Sequence, residues 1–568
     1  MNSLDNLITL LSCFFFMSLV GYISYRKTKG DVGTIEGYFL ANRGLNGIFI
    51  AGSLLLTNLS SEHFIGLNGS AYGFNLSSMA WEVTAAIATI FMALIFLPLY
   101  LKGAYTTLPE FISNRFDNQI RRMLVVLFMI GYGLVTIPAV LYSGSVAILM
   151  LFDIENIFHI TYGQAMISTI ILIGTIGGFY AVFGGLKAVA ISDTLNGVGL
   201  LIIGILVPIL GFKKLGNGSI ISGFQIITTQ HTEKLNAIGS SNDPTPFGTI
   251  FTGMIFANLF YWCTNQYVIQ RTLGAKNLKE GQKGVLISGF FKVFIPFIMM
   301  IPGVITFHLY GPSLTSIDLA YPKLIRDVLP NYATGFFLAV LLGAVLSSFN
   351  SLLNSAATLF CLDIYIPFKK EKVNDKKILQ VAKLTSLIIA LCSFVVAPLL
   401  RFAPDGLFQI IRIFTGFYNI PVIAIVIIGL FNKNVPALGP KIVVVFHIIS
   451  YGVFQFLLKD YLKIHFIHLY AILFLSEILI MLLIGKIFPE KVHWEHKNKD
   501  VIDLTPWKYI QPVSFTLFSA VILIYLIFSP LGFVGGAPGV KLVFLISLLV
   551  VINIFFWFYK LKPKSKIK

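Results

Sequence analysis

The chain has 568 residues, of which 56% are hydrophobic and only 12% charged, and its mean hydropathy is +0.84. A soluble domain is typically about a quarter charged, so this composition excludes a soluble protein and predicts an all-α polytopic membrane protein. The net charge of +17 does not indicate a nucleic-acid partner, because the lysines and arginines fall in short loops between apolar segments.

Apolar segments predict 15 membrane-spanning helices, at residues 6–25, 47–67, 78–101, 122–152, 165–183, 190–211, 248–268, 284–308, 333–361, 379–400, 407–431, 441–458, 466–487, 512–531 and 540–560. Crossing a hydrocarbon core takes roughly 17–25 residues. The first segment follows Asp5 and precedes Arg26, the reverse of the charge order in a signal peptide, so we expect an uncleaved span with its N-terminus outside. Most Lys- and Arg-rich loops and the C-terminal tail then face the cytoplasm, as expected for a multi-pass protein of the inner (plasma) membrane.

Residues 57–70 are unusually polar for a predicted span. Their sequence is TNLSSEHFIGLNGS, with a glutamate, a histidine and two asparagines inside an apolar segment. Polar groups and irregular backbone at membrane depth must find partners inside the protein, and they mark substrate or ion pathways. We therefore expect a discontinuous helix that lines a substrate and ion site.

Other ionisable residues also fall in or at the edge of predicted spans, namely Glu82, Asp193, Lys292, Arg412 and Glu477. Each is costly unless it is paired or hydrated, and we expect Glu82, Lys292 and Arg412 to face a common cavity. The alternative is a structural ion-pair network without a ligand.

Two more spans contain polar interruptions. Residues 258–266 (NLFYWCTNQ) combine rings and amides, which suit a hydroxyl-rich ligand but also mark membrane interfaces. Residues 343–354 (GAVLSSFNSLLN) contain two adjacent serines. Such serines serve close helix packing or, together with the free carbonyls of a broken helix, a sodium site.

Five motifs, in this order, resemble the sodium/solute symporter family: SSEHFIGLNGSAYG, WEVTA, YAVFGGLKAVAISD, ANLFYWCTNQYVIQRTLGAK and GAVLSSFNSLLNSAATLFCLDIY. The sequence is similar to the branch of sodium-coupled sugar and inositol cotransporters, and within it to a group of uncharacterised bacterial symporters. The resemblance implies a broken-helix transporter core of two inverted five-helix repeats with alternating access around a midplane site. The chain would then divide into 1–46 (an extra span and a loop), 47–212 (first repeat), 213–247 (extracellular loop), 248–431 (second repeat) and 432–568 (peripheral spans).

The resemblance also implies roles for single residues. Sodium would be bound by the backbone oxygens of Leu56, Leu59 and Ala344 and the hydroxyls of Ser347 and Ser348, with Asp193 as a nearby carboxylate that guides the ion. The substrate-binding residues would be Asn58, His63, Glu82, Asn258, Lys292 and Arg412, with Tyr261 stacked on the sugar. An outer apolar lid would be formed by Leu67, Trp81 and Phe408.

Two positions depart from the family pattern. Ala85 replaces a serine that contacts sugar, which leaves Thr84 as a substitute, and Arg412 replaces a glutamine. Glu82, Lys292 and Arg412 carry a formal charge of +1 together, and a planar guanidinium suits bidentate binding of an anion. We therefore expect a sugar or polyol that bears an acidic group. The alternative is a neutral hexose or inositol, with Arg412 paired to Glu82 or turned towards solvent.

The sequence thus predicts a sodium symporter rather than an enzyme. It contains no P-loop, HExxH or GxSxG motif, and its four cysteines have neither disulfide nor zinc spacing. A membrane-embedded enzyme acting on lipid-linked sugars, a transporter-like sensor, and proton coupling through Glu62 and His63 are the alternatives. The expected partners are a small-molecule substrate, co-transported sodium and the lipid bilayer, with no nucleic acid and no obligatory protein partner.

Overall fold

The structure, a computed structural model, describes residues 3–28, 35–59, 61–152, 154–369, 374–402, 407–491, 494–495, 498–536 and 539–561. Within these ranges every regular element is a helix, and the one extended pairing is an isolated bridge between Leu45 and Ala275. The predicted all-α class is confirmed.

The helices of the first part of the chain are α1 (Ser3–Thr28), α2 (Ile35–Leu40), α3 (Gly47–Asn58), α4 (Ser61–Gly73), α5 (Leu76–Lys102), α6 (Leu108–Arg115), α7 (Asn118–Leu149), α8 (Ile154–Phe158), α9 (Tyr162–Leu215) and α10 (Ile220–Thr229). Those of the second part are α11 (Gly253–Cys263), α12 (Gln266–Leu273), α13 (Leu278–Tyr310), α14 (Ala320–Val328), α15 (Ala333–Phe368), α16 (Asp375–Phe402), α17 (Leu407–Phe431), α18 (Leu438–Leu458), α19 (Phe466–Ile487), α20 (Ile510–Ile527) and α21 (Val540–Leu561). Short 3₁₀ turns lie at Ala41–Arg43, Thr232–Leu235, Phe247–Phe251, Ile317–Leu319 and Phe533–Gly535.

Eleven helices in the described part of the chain are long and apolar enough to cross a membrane, and α3 with α4 forms a twelfth, broken span. Three further predicted spans coincide with shorter apolar helices, at Leu11–Ser24, Tyr162–Gly178 and Gly253–Cys263. One predicted boundary is wrong, because the loop expected at 184–189 is helical and lies within α9. The sequence at 184–189 is GGLKAV. After its two glycines come mostly good helix formers, and it contains no proline.

Two helices are interrupted at the polar segments that the sequence analysis singled out. α3 ends at Asn58, and Leu59 leaves helical geometry with φ −86° and ψ 81°, so that α3 and α4 meet at an angle of 59°. α11 and α12 are separated by Thr264 and Asn265, of which Asn265 is extended (φ −72°, ψ 116°). Each break lies in the first span of a predicted five-helix repeat, and interruptions at such matched positions indicate a binding site.

The core brings the first break next to the serine pair of α15. α3 packs against α9 and α13, and α15 packs along α9. The close approach needs glycine, because a Cβ at Gly52 would lie 2.9 Å from the Cα of Thr194, and one at Gly343 would lie 2.6 Å from the side chain of Asn196. The backbone of α3 and the hydroxyl groups of α15 are therefore held in contact.

The C-terminal helices surround this core. α18 and α19 pack against α17, and α19 also contacts α11 through the stacked rings of Phe256 and Phe474, whose centroids are 3.8 Å apart. α20 packs against α13 and α21. In the most apolar stretch of α21, only 6% of the residues are buried. α21 therefore presents nearly all of its apolar surface outward, as a lipid-facing helix does.

Candidate functional site

A cavity lies between the two helix breaks. Its volume is about 50 Å³, well below the roughly 300–1,000 Å³ of typical ligand pockets, so the walls lie close together in this structure. All seven residues predicted to bind substrate line it: Asn58, His63, Glu82, Asn258, Tyr261, Lys292 and Arg412. Helices from both halves of the chain supply these side chains, so folding assembles the site from segments that are distant in sequence.

Glu82 and Lys292 form a buried ion pair in the cavity wall. Lys292 Nζ contacts Glu82 Oε2, and only 1% and 3% of the two side chains are exposed. The other carboxylate oxygen of Glu82 lies 3.4 Å from His63 Nε2. Because a buried ion is stable only with its partners, this pair also joins α5 to α13 across the two predicted repeats.

Arg412 lies elsewhere in the cavity wall, on α17. Its guanidinium carbon is 4.8 Å from the centroid of the Trp81 ring, which is a cation–π contact, and the residue is half-buried. Among the described residues, Glu82 forms its ion pair with Lys292 and also contacts the His63 ring. The alternative in which Arg412 pairs with Glu82 is therefore not the arrangement in this structure.

A second carboxylate, that of Glu62, also faces the cavity. Its Oε1 lies 3.6 Å from His63 Nδ1, and its Oε2 has no hydrogen-bond partner among the described residues. The charge of +1 predicted from the sequence included only Glu82, Lys292 and Arg412. That count is wrong for the assembled cavity, because two carboxylates and two cations give a formal charge of zero when His63 is neutral.

Thr84 does not replace the missing serine hydroxyl at Ala85. Asn258 Nδ2 donates to Thr84 Oγ1 at 2.8 Å, and Thr84 Oγ1 donates to the carbonyl oxygen of Ala80 at 2.6 Å. Ala85 lines the cavity, whereas Thr84 is not among its lining residues. Thr84 thus lies outside the cavity lining and orients the side-chain amide of Asn258.

The ring of Tyr261 is held at the cavity by hydrogen bonds around the second break. Tyr267 Oη donates to Tyr261 Oη at 2.8 Å, and the backbone N–H of Tyr267 donates to Tyr132 Oη at 3.3 Å. Tyr132 in turn donates to Asn265 Oδ1 at 2.6 Å. The polar residues of the break therefore use their hydrogen-bonding groups to fix the ring that faces the cavity.

The three residues predicted to form an outer lid have different positions. Trp81 lines the cavity, whereas Leu67 is fully buried on α4 and is not among the lining residues. The side chain of Phe408 lies outside the described residues. A lid made of these three side chains stays a prediction.

Two of the oxygen atoms predicted to bind sodium meet near the end of α3. Ser348 Oγ, on α15, donates to the carbonyl oxygen of Leu56 at 3.4 Å. Carbonyls in the last turn of a helix lack an intrahelical donor, and α3 ends two residues after Leu56. Leu59 lies beyond that end, and Ala344 is fully buried one turn before Ser348 on α15. The Leu56 carbonyl and the Ser348 hydroxyl are neutral oxygens, the ligand type that a hard cation accepts.

Asp193 connects one of the paired serines to the core. Ser347 Oγ and Ser53 Oγ both donate to its carboxylate, the latter at 2.6 Å. Arg271, which is fully buried, donates through Nε to Ser53 Oγ at 3.1 Å and contacts Ser351. Because the hydroxyl proton of Ser347 points to Asp193, the oxygen lone pairs of that serine remain available to a cation.

Further polar residues line the cavity that were not predicted to bind substrate, namely Glu62, Thr136, Asn265, Tyr267, Thr415, Tyr418 and Asn419. Thr415 and Asn419 follow Arg412 by three and seven positions, which puts all three on one face of α17. That spacing was a usable signal for these two residues. Glu62 was named only for the alternative of proton coupling with His63, not as a residue of the substrate site.

Comparisons with known proteins agree with these features. The model of the sodium:solute symporter family matches residues 38–440. The uncharacterized symporter YidK of Escherichia coli (strain K12) is 41% identical over 566 residues, which cover 99% of this chain and 98% of that protein. The sodium/glucose cotransporter of Vibrio parahaemolyticus is 30% identical over 75% of this chain and 80% of its own length. Human sodium/myo-inositol cotransporter 2 is 31% identical over 74% of this chain and 65% of its own length.

Two solved structures have similar folds. A Na⁺-coupled sialic acid symporter in a substrate-bound, outward-open state has a TM-score of 0.74 and 21% identity, and the match covers 85% of this chain and 99% of that one. A nucleobase-cation-symport-1 family transporter in a closed conformation has a TM-score of 0.53 and 15% identity, covering 80% and 95% of the two chains. Together with the two helix breaks, these similarities confirm the predicted broken-helix, inverted-repeat transporter core.

Proposed function

The chain belongs to the sodium:solute symporter family and is a membrane transporter that uses sodium, and from this premise we propose that it imports a sugar or polyol that bears an acidic group. Alternating access around the cavity would carry the solute together with sodium. The observation that carries the proposal is the charge balance of the cavity wall.

In the cavity wall, two carboxylates, Glu62 and Glu82, oppose two cations, Lys292 and Arg412. The formal charge is therefore zero with His63 neutral, and a sodium ion bound nearby raises the local charge to +1. Uncompensated charge is costly at membrane depth. A solute with one negative charge would restore neutrality in the loaded state, whereas a neutral sugar would leave the excess positive charge in place.

Arg412 is the side chain that we assign to the acidic group. Its guanidinium face stacks on Trp81, while bidentate recognition of a carboxylate uses the edge of the guanidinium, so the two contacts are compatible. The hydroxyls of the solute would contact the amides of Asn58 and Asn258 and the Glu82–Lys292 pair. Relatives that are named as cotransporters of glucose and myo-inositol support a hydroxyl-rich solute. The fold shared with a sialic acid symporter is compatible with an acidic sugar.

Sodium would bind first, where the Leu56 carbonyl meets the Ser348 hydroxyl, next to Ser347. Joining α3 to α15 in this way would fix the break and so position Asn58 and His63 for the solute. A neutral solute with one sodium ion would gain about 2.3 kcal/mol from a potential of roughly 100 mV. A roughly tenfold sodium ratio would add about 1.4 kcal/mol, and the sum would drive accumulation of several hundredfold.

A singly charged acidic solute changes this energy balance. Its movement with one sodium ion transfers no net charge, so the membrane potential contributes nothing and only the sodium ratio drives uptake. Measuring uptake into proteoliposomes with and without an imposed potential therefore separates the two substrate classes. Potential-independent uptake of an acidic sugar supports the proposal with one sodium ion, and uptake restricted to neutral sugars, stimulated by the potential, would support the neutral-hexose or inositol alternative.

Replacing Arg412 tests the proposal at the residue that carries it. Arg412→Gln should raise the half-saturating concentration of an acidic sugar by roughly 10- to 100-fold, the loss expected for a charge-assisted contact, and Arg412→Lys should have a smaller effect. Arg326→Gln, at an exposed position on α14, is the matched control and should behave as wild type. An Arg412→Gln protein with the wild-type ratio of acidic to neutral sugar uptake would contradict the proposal.

A further inference from the structure

Two helices outside the cavity hold the helix that carries Arg412. α18 and α19 pack against α17, and three of their side chains donate hydrogen bonds to its backbone. We call these side chains the clamp: Tyr470 Oη donates to the carbonyl of Arg412 at 2.6 Å, Tyr451 Oη to that of Ile413 at 2.8 Å, and His447 Nε2 to that of Gly416 at 2.9 Å. These are the carbonyls of the turn that begins at Arg412.

The clamp acts next to a weak point of α17. Pro421 has no N–H, so the carbonyl of Phe417 lacks its helical donor, and helices bend at such positions. Gly416 allows the clamp to approach, because a Cβ there would lie 2.4 Å from Tyr451 Oη and 2.8 Å from Tyr470 Oη. The contacts of α18 and α19 therefore influence where the Arg412 turn sits in the cavity wall.

The ionisable centre of the clamp is a fully buried pair. His447 Nδ1 and Glu477 Oε1 are 2.5 Å apart, and neither side chain is exposed. The Gly416 carbonyl can only accept a hydrogen bond, so the Nε2 that faces it carries a proton. Nδ1 and Oε1 must share a further proton, on the imidazole or on the carboxyl group, because two bare acceptors at that distance would repel each other. With the shared proton the pair has no net charge.

Loss of the shared proton would leave a buried anion. Glu477 Oε2 has no hydrogen-bond partner among the described residues, so no nearby donor compensates the charge. The other ionisable groups around the clamp are Tyr451 and Tyr470 within it, together with Arg412 and Tyr418 on α17. Repulsion between Nδ1 and the carboxylate would turn the His447 ring, which would also break its bond to Gly416.

We propose that His447 and Glu477 form a proton-binding site that positions the Arg412 turn, so that the bound proton keeps the clamp closed and its release loosens the cavity wall. His447 and Glu477 act here as positioning residues, since neither lines the cavity. The effect on transport rests on the proposed function of the cavity, whereas proton binding by the pair does not depend on which solute is carried.

The shared proton of His447 and Glu477 sets the direction in which stability changes with pH. Above about pH 6.5 an unfolded chain has neutral histidine and ionised glutamate, whereas the folded pair keeps its shared proton. The folded state then binds one proton more than the unfolded state, so the folding equilibrium falls by up to about tenfold per pH unit as the pH rises, until the pair releases the proton. Uptake should decline in the same alkaline range as the clamp opens.

Glu477→Gln removes the titration while preserving the bond. The glutamine amide can donate to Nδ1 of a neutral His447, whose Nε2–H still reaches Gly416, but no shared proton remains. Thermal unfolding without substrate and sodium-dependent uptake would be measured at pH values from about 6 to 9, above the pKa of an unfolded histidine over most of the range. We expect the alkaline loss of stability and of uptake in wild type to be absent in Glu477→Gln. Tyr451→Phe, which lacks one clamp bond but keeps the pair, should lower apparent substrate affinity at every pH and keep the wild-type slope.

Several outcomes would overturn the proposal. If the stability of the wild-type protein is constant above about pH 6.5, the folded pair holds no extra proton and the proposal fails. The same result would follow from a Glu477→Gln protein with the wild-type slope. A slope change in stability without a change in the pH profile of uptake would refute the control of the Arg412 turn. A protein that transports only neutral sugars would contradict the proposed substrate alone, because the stability measurement uses no solute.

Discussion

Replacing Ser348 by alanine tests the proposed sodium site directly. Ser348 Oγ and the carbonyl oxygen of Leu56 are 3.4 Å apart, on helices from different predicted repeats. Two oxygens at this separation, each about 2.4 Å from one ion as in oxygen-coordinated cation sites, subtend roughly 90° at the ion. They therefore have the spacing of neighbouring ligands of a single sodium ion.

The expected loss follows from removing one of the five proposed ligand oxygens. A contact with a charged group contributes roughly 1.5–3 kcal/mol. This corresponds to an increase of about 10- to 150-fold in the sodium concentration that gives half-maximal uptake. Substrate affinity at saturating sodium should stay near the wild-type value, because Ser348 does not line the cavity.

Sodium titration of uptake into proteoliposomes, at constant ionic strength and potential, measures this shift. The matched control is Ser355→Ala, two turns further along α15, where the hydroxyl donates to Gln270 Oε1 at 2.6 Å. That variant should keep the wild-type sodium dependence. Unchanged sodium activation in Ser348→Ala, or an equal shift in both variants, would refute the site assignment.

Two other substitutions probe the framework of the site. Lys292→Gln leaves Glu82 buried without its cation, so we expect loss of uptake and roughly 3–5 kcal/mol lower stability. Most of that stability should return in the double variant Glu82→Gln/Lys292→Gln, measured by thermal unfolding. A double variant that does not recover would show that the pair is not coupled. Gly52→Ala places a Cβ 2.6 Å from Thr194 Oγ1, which should cost about 1–3 kcal/mol and weaken sodium binding by separating α3 from α9. Gly133→Ala, whose Cβ would meet only Ile389 at 3.7 Å, is the control and should unfold at the wild-type temperature, and equal losses in both variants would contradict the packing argument.

The sequence predicted the elements of the fold well, for a physical reason. A hydrocarbon solvent demands long apolar helices, so 15 apolar segments were visible, and all fall in helical parts of the structure, although two lie within α9 and two run across a helix break. The same solvent makes polar interruptions expensive, so the breaks near Leu59 and Asn265 were conspicuous as sequence. The helix continues through 184–189 without an energetic cost, because helical backbone satisfies its own hydrogen bonds. The sequence therefore shows no polar interruption that marks where one predicted span ends and the next begins.

The sequence predicted which residues line the candidate site but not which of them form ion pairs. Motif resemblance singled out seven side chains, and they line one cavity, yet it assigned Glu62 no role and so gave the wrong charge. The pairing of Glu82 with Lys292, rather than with Arg412, depends on how α5, α13 and α17 are placed around the cavity. A contact between residues on two different helices leaves no mark in the local sequence around either residue.

The sequence by itself therefore determined the membrane class, the two interrupted helices and the oxygen-rich α15 segment, because each is a local response to a solvent that cannot hydrogen-bond. Only the tertiary structure decided which charges compensate one another in the cavity. It also decided that His447 and Glu477, 30 positions apart on two peripheral helices, meet behind the turn that carries Arg412. Charge balance is a property of distances between helices, and those distances are fixed by packing.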